Sequence, residues 1–258
     1  MHYNTISGDR RIRQAQIELG KNSWPEFMQH DTIVEKHWPR LYSDFQDFQF
    51  AAISGNDIVG VGNSVPVYWE GEFRSLPTRG LDWAMAKAVV DHRFELTPNL
   101  LVGVQILLQP DLRNSGLSYD FLEHMKHVAR SKGFEYIALP LRPIIKHLYP
   151  LVPMEEYIVW TNPKGEPFDP WIRVHVKAGG RIISVCPESM IIQGRVKEWQ
   201  DWTGLSFQSS GLYIIEKALS PVYIDLEEDL GEYIEPNVWI IHSTQSTLQL
   251  NRSRKNET

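Results

Sequence analysis

The chain has 258 residues, of which 42% are hydrophobic and 22% charged, a composition typical of a folded globular protein. The formal net charge of -6 and the lack of a basic stripe argue against a nucleic-acid partner. The single cysteine, Cys186, excludes a disulfide framework and a zinc site built from cysteines. Because the first residues lack a signal-peptide pattern and no apolar run could span a bilayer, we expect a cytoplasmic protein without a membrane partner or a bound metal.

The first hundred residues predict helices on either side of a β-hairpin. Residues 9–29 form a helical pattern that Pro25 interrupts. Two strand patterns, residues 48–53 and 58–68, flank a turn cluster and should pair as a hairpin. Residues 81–92 follow as a helix, because their apolar side chains recur at helical spacing.

The clearest unit is a strand, a turn, a helix and a second strand between residues 101 and 141. Residues 101–108 read LVGVQILL, a continuous apolar run that suits a central strand buried on both faces. Residues 117–132 carry an apolar stripe at helical spacing, and Gly133 is suited to cap the end of this helix. With a further strand at residues 136–141, the pattern predicts a right-handed crossover between adjacent parallel strands.

The remaining chain predicts one more helix and several strands. Asp169 is a good N-cap and Pro170 is favoured at the first helical position, so a helix should begin there and end at Gly179. Strands are expected at residues 181–185, 190–193, 212–216 and 238–242, with a short helix at residues 196–202. The predicted fold class is α/β (α+β), a mixed sheet flanked by helices.

The turn before the helix at residues 117–132 has the character of an anion site. Backbone N–H groups at a helix N-terminus lack intrahelical partners and bind phosphate oxygens, and Gly116 allows a ligand to approach the backbone. Arg113 adds a positive charge, and nearby serines add hydroxyl donors. The residues expected to bind a ligand here are Leu107, Leu108, Arg113, Asn114, Ser115, Gly116, Leu117 and Ser118.

Pro110, Arg113 and Gly116 resemble in register the signature P-x-x-R-x-x-G-x-G/A of the GNAT superfamily of acyl-CoA N-acyltransferases, although Ser118 replaces its last residue. In that family the signature binds the pyrophosphate of coenzyme A. The resemblance implies a GNAT-like fold, acetyl-CoA or another acyl-CoA as co-substrate, and transfer of the acyl group to an amine of a small molecule or peptide.

The same resemblance suggests how the chain is divided. A GNAT-like core would cover residues 1–193, with insertions at about residues 70–99 and 142–168. Residues 194–258 would form a C-terminal extension, or appendage, packed on the core. The sequence leaves open whether the chain forms a homodimer.

Two steps of proton transfer are needed, because the amine must lose a proton and the leaving thiolate must be stabilised. The family often places a Glu on the fourth strand as the base, where this chain has Gln105, which cannot accept a proton. The family's leaving-group acid is commonly a Tyr in its fourth helix. Tyr149 takes this position if that helix begins at Pro143, and His175 takes it if the helix begins at Pro170. Both are therefore catalytic candidates.

The insertion at residues 142–168 is expected on the acceptor side. Arg142, Lys146 and His147 could supply positive charge there, which suits an acceptor that carries a carboxylate beside its amine. The alternative, favoured by the missing carboxylate at Gln105, is a non-catalytic acyl-CoA-binding module.

Overall fold

The computed structural model describes residues 1–5, 10–112 and 116–245. The α-helices are α1 (Arg10–Ser23), α2 (Thr32–His37), α3 (Arg40–Ser43), α4 (Gly80–Arg93), α5 (Leu117–Ser131), α6 (Met154–Tyr157), α7 (Pro170–Lys177) and α8 (Val196–Thr203). The strands are β1 (His2–Thr5), β2 (Phe50–Ser54), β3 (Asp57–Val67), β4 (Leu100–Leu108), β5 (Tyr136–Leu141), β6 (Arg181–Gly194), β7 (Gly211–Tyr213), β8 (Val222–Asp225) and β9 (Leu230–Ser243).

All nine of these strands join one mixed sheet, which confirms the predicted fold class. The order is β1-β2-β3-β4-β5-β9-β8-β7, with β6 paired to β9. Most neighbours are antiparallel, whereas β4 and β5 are adjacent and parallel, as the crossover through α5 predicts. The predicted hairpin is β2 and β3, joined through Gly55 at a positive φ of 62°.

Helices cover both faces of the sheet. Helices α1 and α4 pack on one face, where Leu107 and Val102 lie in their respective apolar clusters. Helix α5 packs on the other face, against the cluster that contains Leu101. Helix α7 lies on this second face as well, because it packs with Val238 and Ile240 of β9 while the alternating residues face α4. The residues of β4 are thus buried on both faces, as its apolar run predicts.

The chain after residue 194 enters the central sheet. Strand β9 pairs with β5 from Tyr136↔Ser243 to Leu141↔Val238, and β6 runs along its other edge. On the edge that faces β5, β8 pairs only with residues 230–232 of β9. An interval at residues 233–237 of β9 is therefore left between the two partners, and it forms one end of the cavity described below.

Several elements differ from the sequence-based expectation. Residues 181–185 and 190–193 belong to one long strand, β6, interrupted by an irregularity between Cys186 and Met190. Strands β1 and β8 and helices α2 and α3 were not expected. In the described residues no helix has the length and apolarity needed to cross a bilayer; the cytoplasmic location stays a prediction.

Candidate active site

The site begins where β4 and β5 separate. They pair with each other only at Leu101↔Ile137 and Val102↔Ala138. Beyond these residues β4 continues to Leu108 and β5 to Leu141 without pairing to each other. A register shift between β3 and β4 places one extra residue, Val104, in β4 at this point. The bulge bends β4 and opens a wedge between two parallel strands. Backbone groups along the wedge are available to a ligand.

The N-terminus of α5 lies beyond the end of β4. Its N-cap is Gly116, whose φ of 88° is a left-handed conformation, and no side chain caps the helix. A Cβ placed on Gly116 would meet nothing within 4 Å, so the glycine leaves open space in front of the first turn. Since α5 has 15 residues, its unpaired N–H groups and dipole can bind an anion. This geometry fits a phosphate group; the predicted Arg113, Asn114 and Ser115 lie outside the described residues.

A cavity of about 910 Å³ extends from this region through the wedge. Leu107, Leu108 and Ser118 line it at the end near α5, and Gly103 to Ile106 and Leu139 to Leu141 line the wedge. Helices α1, α2 and α3 form the opposite wall, and Glu235 and Asn237 of β9 form the far end. One continuous space therefore joins the anion site to a polar end at β9.

An ion pair stands at the far end of the cavity. Arg142 Nε donates to Glu235 Oε2 at 2.9 Å and Oε1 at 3.1 Å, and Arg142 Nη2 donates to the carbonyl of Lys217 at 2.7 Å. The hydroxyl of Tyr233 donates to Glu235 Oε2 at 3.0 Å. Burial disfavours the charge on Arg142, but the interactions with Glu235 and Tyr233 together outweigh this and raise the pKa of Arg142. The guanidinium therefore stays charged, and it stands 5.8 Å from the ring centre of Trp24.

The middle of the cavity is polar but lacks a carboxylate. Gln16 of α1 donates to Gln105 of β4 at 3.5 Å, and both line the cavity. Tyr42 also lines it, and its hydroxyl is buried without a hydrogen-bond partner in the described chain. Burial raises the pKa of Tyr42, so the phenol stays protonated at neutral pH. This region can donate and accept hydrogen bonds, but it holds no group suited to remove a proton from an ammonium.

The predicted acceptor residues occupy different places. Arg142 and His147 line the cavity. Lys146 is 1% exposed and donates to the carbonyls of Tyr149 at 2.8 Å and Leu219 at 2.7 Å. Burial lowers the pKa of Lys146 to about 8. In this position its ammonium links two backbone segments, and a substrate-binding role for Lys146 stays a prediction.

The two catalytic candidates are not brought together. Tyr149 is half-buried in an aromatic cluster with Tyr157, Trp160 and Phe168. His175 is on α7, which begins at Pro170 as its caps predict, and it is completely buried.

The environment of His175 is a pair of histidines. Its Nδ1 lies 2.9 Å from Nε2 of His242, and the ring packs edge-on against Trp171, which lines the cavity. Burial, together with His242 and Lys126, lowers the pKa of His175 well below its ordinary value. His175 is thus buried behind Trp171, and Trp171 is the residue that faces the cavity. Catalytic roles for Tyr149 and His175 stay predictions.

Sequence reasoning missed the acidic residues of the cavity. Glu235 is separated from Arg142 by 93 residues, so no local pattern joins them. Glu35 lies on α2, a helix of six residues that is too short to show a periodic pattern. Glu235 lies within β9, which also contains Glu232, so its position carried no signal of its own.

Comparison with known proteins bears on the reaction. The chain is 31% identical to the arginine N-acetyltransferase avaD of Aspergillus versicolor, in an alignment of length 247 that covers 85% of this chain and 84% of that protein. No protein-family model matches the chain.

Two solved structures show the same fold. The loading GNATL domain of CurA from Lyngbya majuscula has a TM-score of 0.59 at 20% identity, covering 95% of this chain and 99% of that one. The GphF GNAT-like decarboxylase in complex with isobutyryl-CoA has a TM-score of 0.58 at 14% identity, covering 95% and 100%. The fold, the anion site at α5 and the sequence identity to avaD all indicate the same family. The chain belongs to the GNAT superfamily as an N-acyltransferase that uses acyl-CoA as co-substrate.

Proposed function

We propose that the protein transfers an acetyl group from acetyl-CoA to an amine of arginine or of an arginine-like small molecule or peptide. The observation that carries the proposal is the continuous cavity of about 910 Å³ between the anion site at α5 and the Arg142–Glu235 pair. A donor and an acceptor can approach the wedge from opposite ends of such a space. The arginine N-acetyltransferase with 31% identity supports the choice of acceptor.

The donor end is expected to hold the coenzyme through backbone groups. Gly116 caps α5, and Leu117 and Ser118 begin it, so that their N–H groups would bind the pyrophosphate. Arg113, Asn114 and Ser115 are proposed to complete that contact. When bound, the coenzyme supplies a thioester whose carbonyl an amine attacks. A backbone N–H near Leu107 or Leu108 would then stabilise the oxyanion that forms.

The acceptor end is expected to recognise a carboxylate through Arg142. Its side chain is 17% exposed, whereas the side chain of Glu235 is fully covered, so the guanidinium is the accessible member of the pair. Glu235 and the carbonyl of Lys217 fix the guanidinium, which lowers the entropy lost when it binds a carboxylate. His147 stands in the same wall and adds a further hydrogen-bonding group.

Proton removal from the amine has few candidates. Among the side chains that line the cavity in the described chain, Glu35, His147 and Glu235 carry a carboxylate or an imidazole, the groups that commonly act as a general base. Glu235 is already engaged by Arg142 and Tyr233, and of the other two we assign proton removal to His147, which stands in the same wall as Arg142. We therefore expect His147→Gln to lower kcat while the KM for acetyl-CoA stays unchanged, because a glutamine side chain cannot accept a proton.

The test is a thiol-release assay with acetyl-CoA and a panel of amines that includes L-arginine, its methyl ester, agmatine and a plain polyamine. L-Arginine should have the highest kcat/KM, because agmatine and the ester lack the carboxylate that Arg142 binds. Arg142→Lys should raise the KM for L-arginine and leave the KM for acetyl-CoA unchanged. Binding of acetyl-CoA without turnover of any amine would contradict the proposal.

A further inference from the structure

Helix α2 presents a carboxylate and an aromatic ring to the cavity. Glu35 and the residue that caps the helix, Trp38, both line it. Residues three positions apart on a helix lie side by side, so the two groups share one face. Glu35 is exposed and Trp38 is partly buried against the core, which leaves both accessible from the cavity.

Two other aromatic rings of this wall, Tyr42 and Trp24, already have an arginine side chain of the protein over them. The Arg13 guanidinium stands 5.7 Å from the centre of the Tyr42 ring, and that of Arg142 stands 5.8 Å from the Trp24 ring. Within the described chain, Trp38 has no cation over its ring and Glu35 forms no ion pair. A carboxylate and an aromatic face therefore stand together in the cavity wall without a positive partner.

The position of these two groups is set by the fold. Asp31 is 1% exposed, and its Oδ1 accepts hydrogen bonds from Ile33 N at 2.9 Å and Val34 N at 2.8 Å. This N-cap ties the first turn of α2 to a buried site next to α4. A short helix fixed in this way holds Glu35 and Trp38 in place before a ligand arrives, which favours binding.

We infer that Glu35 and Trp38 bind a guanidinium, or a similar planar cation, at the end of the acceptor farthest from its carboxylate. A guanidinium matches both groups at once, because it donates two parallel hydrogen bonds to a carboxylate and stacks on an aromatic ring. A neutral ureido group has the same shape but no charge to offer. The inference rests on the proposed function, and it makes α2 the element that selects the cationic side chain.

The experiment compares L-arginine with L-citrulline, which has the same length and a neutral ureido group. Wild-type enzyme should have a kcat/KM for L-arginine at least about tenfold higher, which is the usual range for a hydrogen bond to a charged group. Glu35→Gln should lower kcat/KM for L-arginine about tenfold through KM and leave L-citrulline unchanged, and Trp38→Leu should act in the same direction. Glu26→Gln, an exposed acid outside the cavity, is the matched control and should change neither substrate.

The outcomes separate the inference from the proposed function. Equal use of L-arginine and L-citrulline by wild type, or an unchanged ratio in Glu35→Gln, would overturn the role of α2 while transfer to arginine still stood. If wild type turned over neither amino acid, the inference is tested by calorimetry instead. The binding of L-arginine to wild type and to Glu35→Gln is then measured in the presence of coenzyme A. Equal affinity of wild type and Glu35→Gln would overturn the inference, and weaker binding by the variant would support it.

Discussion

A buried pair of carboxyl groups below α2 makes the stability of the protein depend on pH. Asp31 and Asp82 of α4 are 1% and 2% exposed, and Arg79 Nη2 donates to Asp82 Oδ2 at 2.9 Å. Asp31 Oδ2 and Asp82 Oδ1 are buried without a donor in the described chain, although the two side chains are close enough for a shared proton to join them. Burial, and then the charge of Asp31, raise the pKa of Asp82 to about 7.

The direction of the effect follows from the raised pKa. The folded protein keeps the proton to about pH 7, whereas the unfolded chain loses it near the ordinary value of 3.8. The proton therefore stabilises the fold fully below about pH 4, and this stability is lost as the pH rises through about 7. A difference of about three in pKa corresponds to an upper limit of about 4 kcal/mol, since each pKa unit corresponds to about 1.36 kcal/mol.

Asp82→Asn tests this reasoning, because the amide has the shape of a protonated carboxyl and can donate to Asp31. At pH 5 the variant should melt near wild type. At pH 8 it should melt higher, by at most about 10 °C for a chain of this size. Thermal unfolding followed by circular dichroism between pH 4.5 and 8.5 measures both. Asp91→Asn is the matched control, because Asp91 lies on the same helix at 2% exposure but pairs with Lys87. This control variant should be less stable than wild type at both pH values. An Asp82→Asn curve parallel to that of wild type would refute the shared proton.

Three further substitutions test other parts of the site. Acetyl-CoA at a hundredfold excess over its Kd should stabilise wild type by about 2.7 kcal/mol, and Gly116→Glu should abolish this protection in a thermal-shift assay because the new charge repels pyrophosphate. Gly103→Ala should lower the Tm and weaken acetyl-CoA binding, since its Cβ would come within 2.7 Å of Met125 Sδ in the wedge wall. Lys146→Ala should lower the Tm, because it leaves a cavity and two unpaired carbonyls. The free energy of unfolding should fall by about 1–3 kcal/mol. An increase in acceptor KM without loss of stability would instead support its predicted binding role.

The local patterns of the chain were sufficient for the crossover unit. The predicted strands at residues 101–108 and 136–141 match β4 and β5 to within one residue, and the predicted helix at residues 117–132 matches α5 equally well. These elements are long enough to carry a pattern of their own, and an apolar run or a 3.6-residue stripe reports them directly. This holds even for β5, which pairs with the distant β9. The same holds for the caps of α7 at Asp169 and Pro170.

Short or irregular elements escaped these patterns. Helices α2 and α3 have six and four residues, which is less than two turns and carries no measurable period. The long β6 was expected as two strands, because the irregularity between Cys186 and Met190 interrupts the alternation of side chains. The consequence for function is that the α2 wall of the cavity could not be anticipated.

What the sequence by itself determined is the donor side: a strand, a glycine turn and a helix N-terminus that follow one another within about 20 residues and need no other part of the chain to bind an anion. On the acceptor side the sequence indicated Arg142 and His147, which line the cavity, but the partner of Arg142 was decided only by tertiary structure. Glu235 meets Arg142 across 93 residues because β9 inserts beside β5 and leaves an interval before β8. Such contacts depend on strand order, and strand order results from the packing of the whole sheet, which no local stretch of sequence encodes.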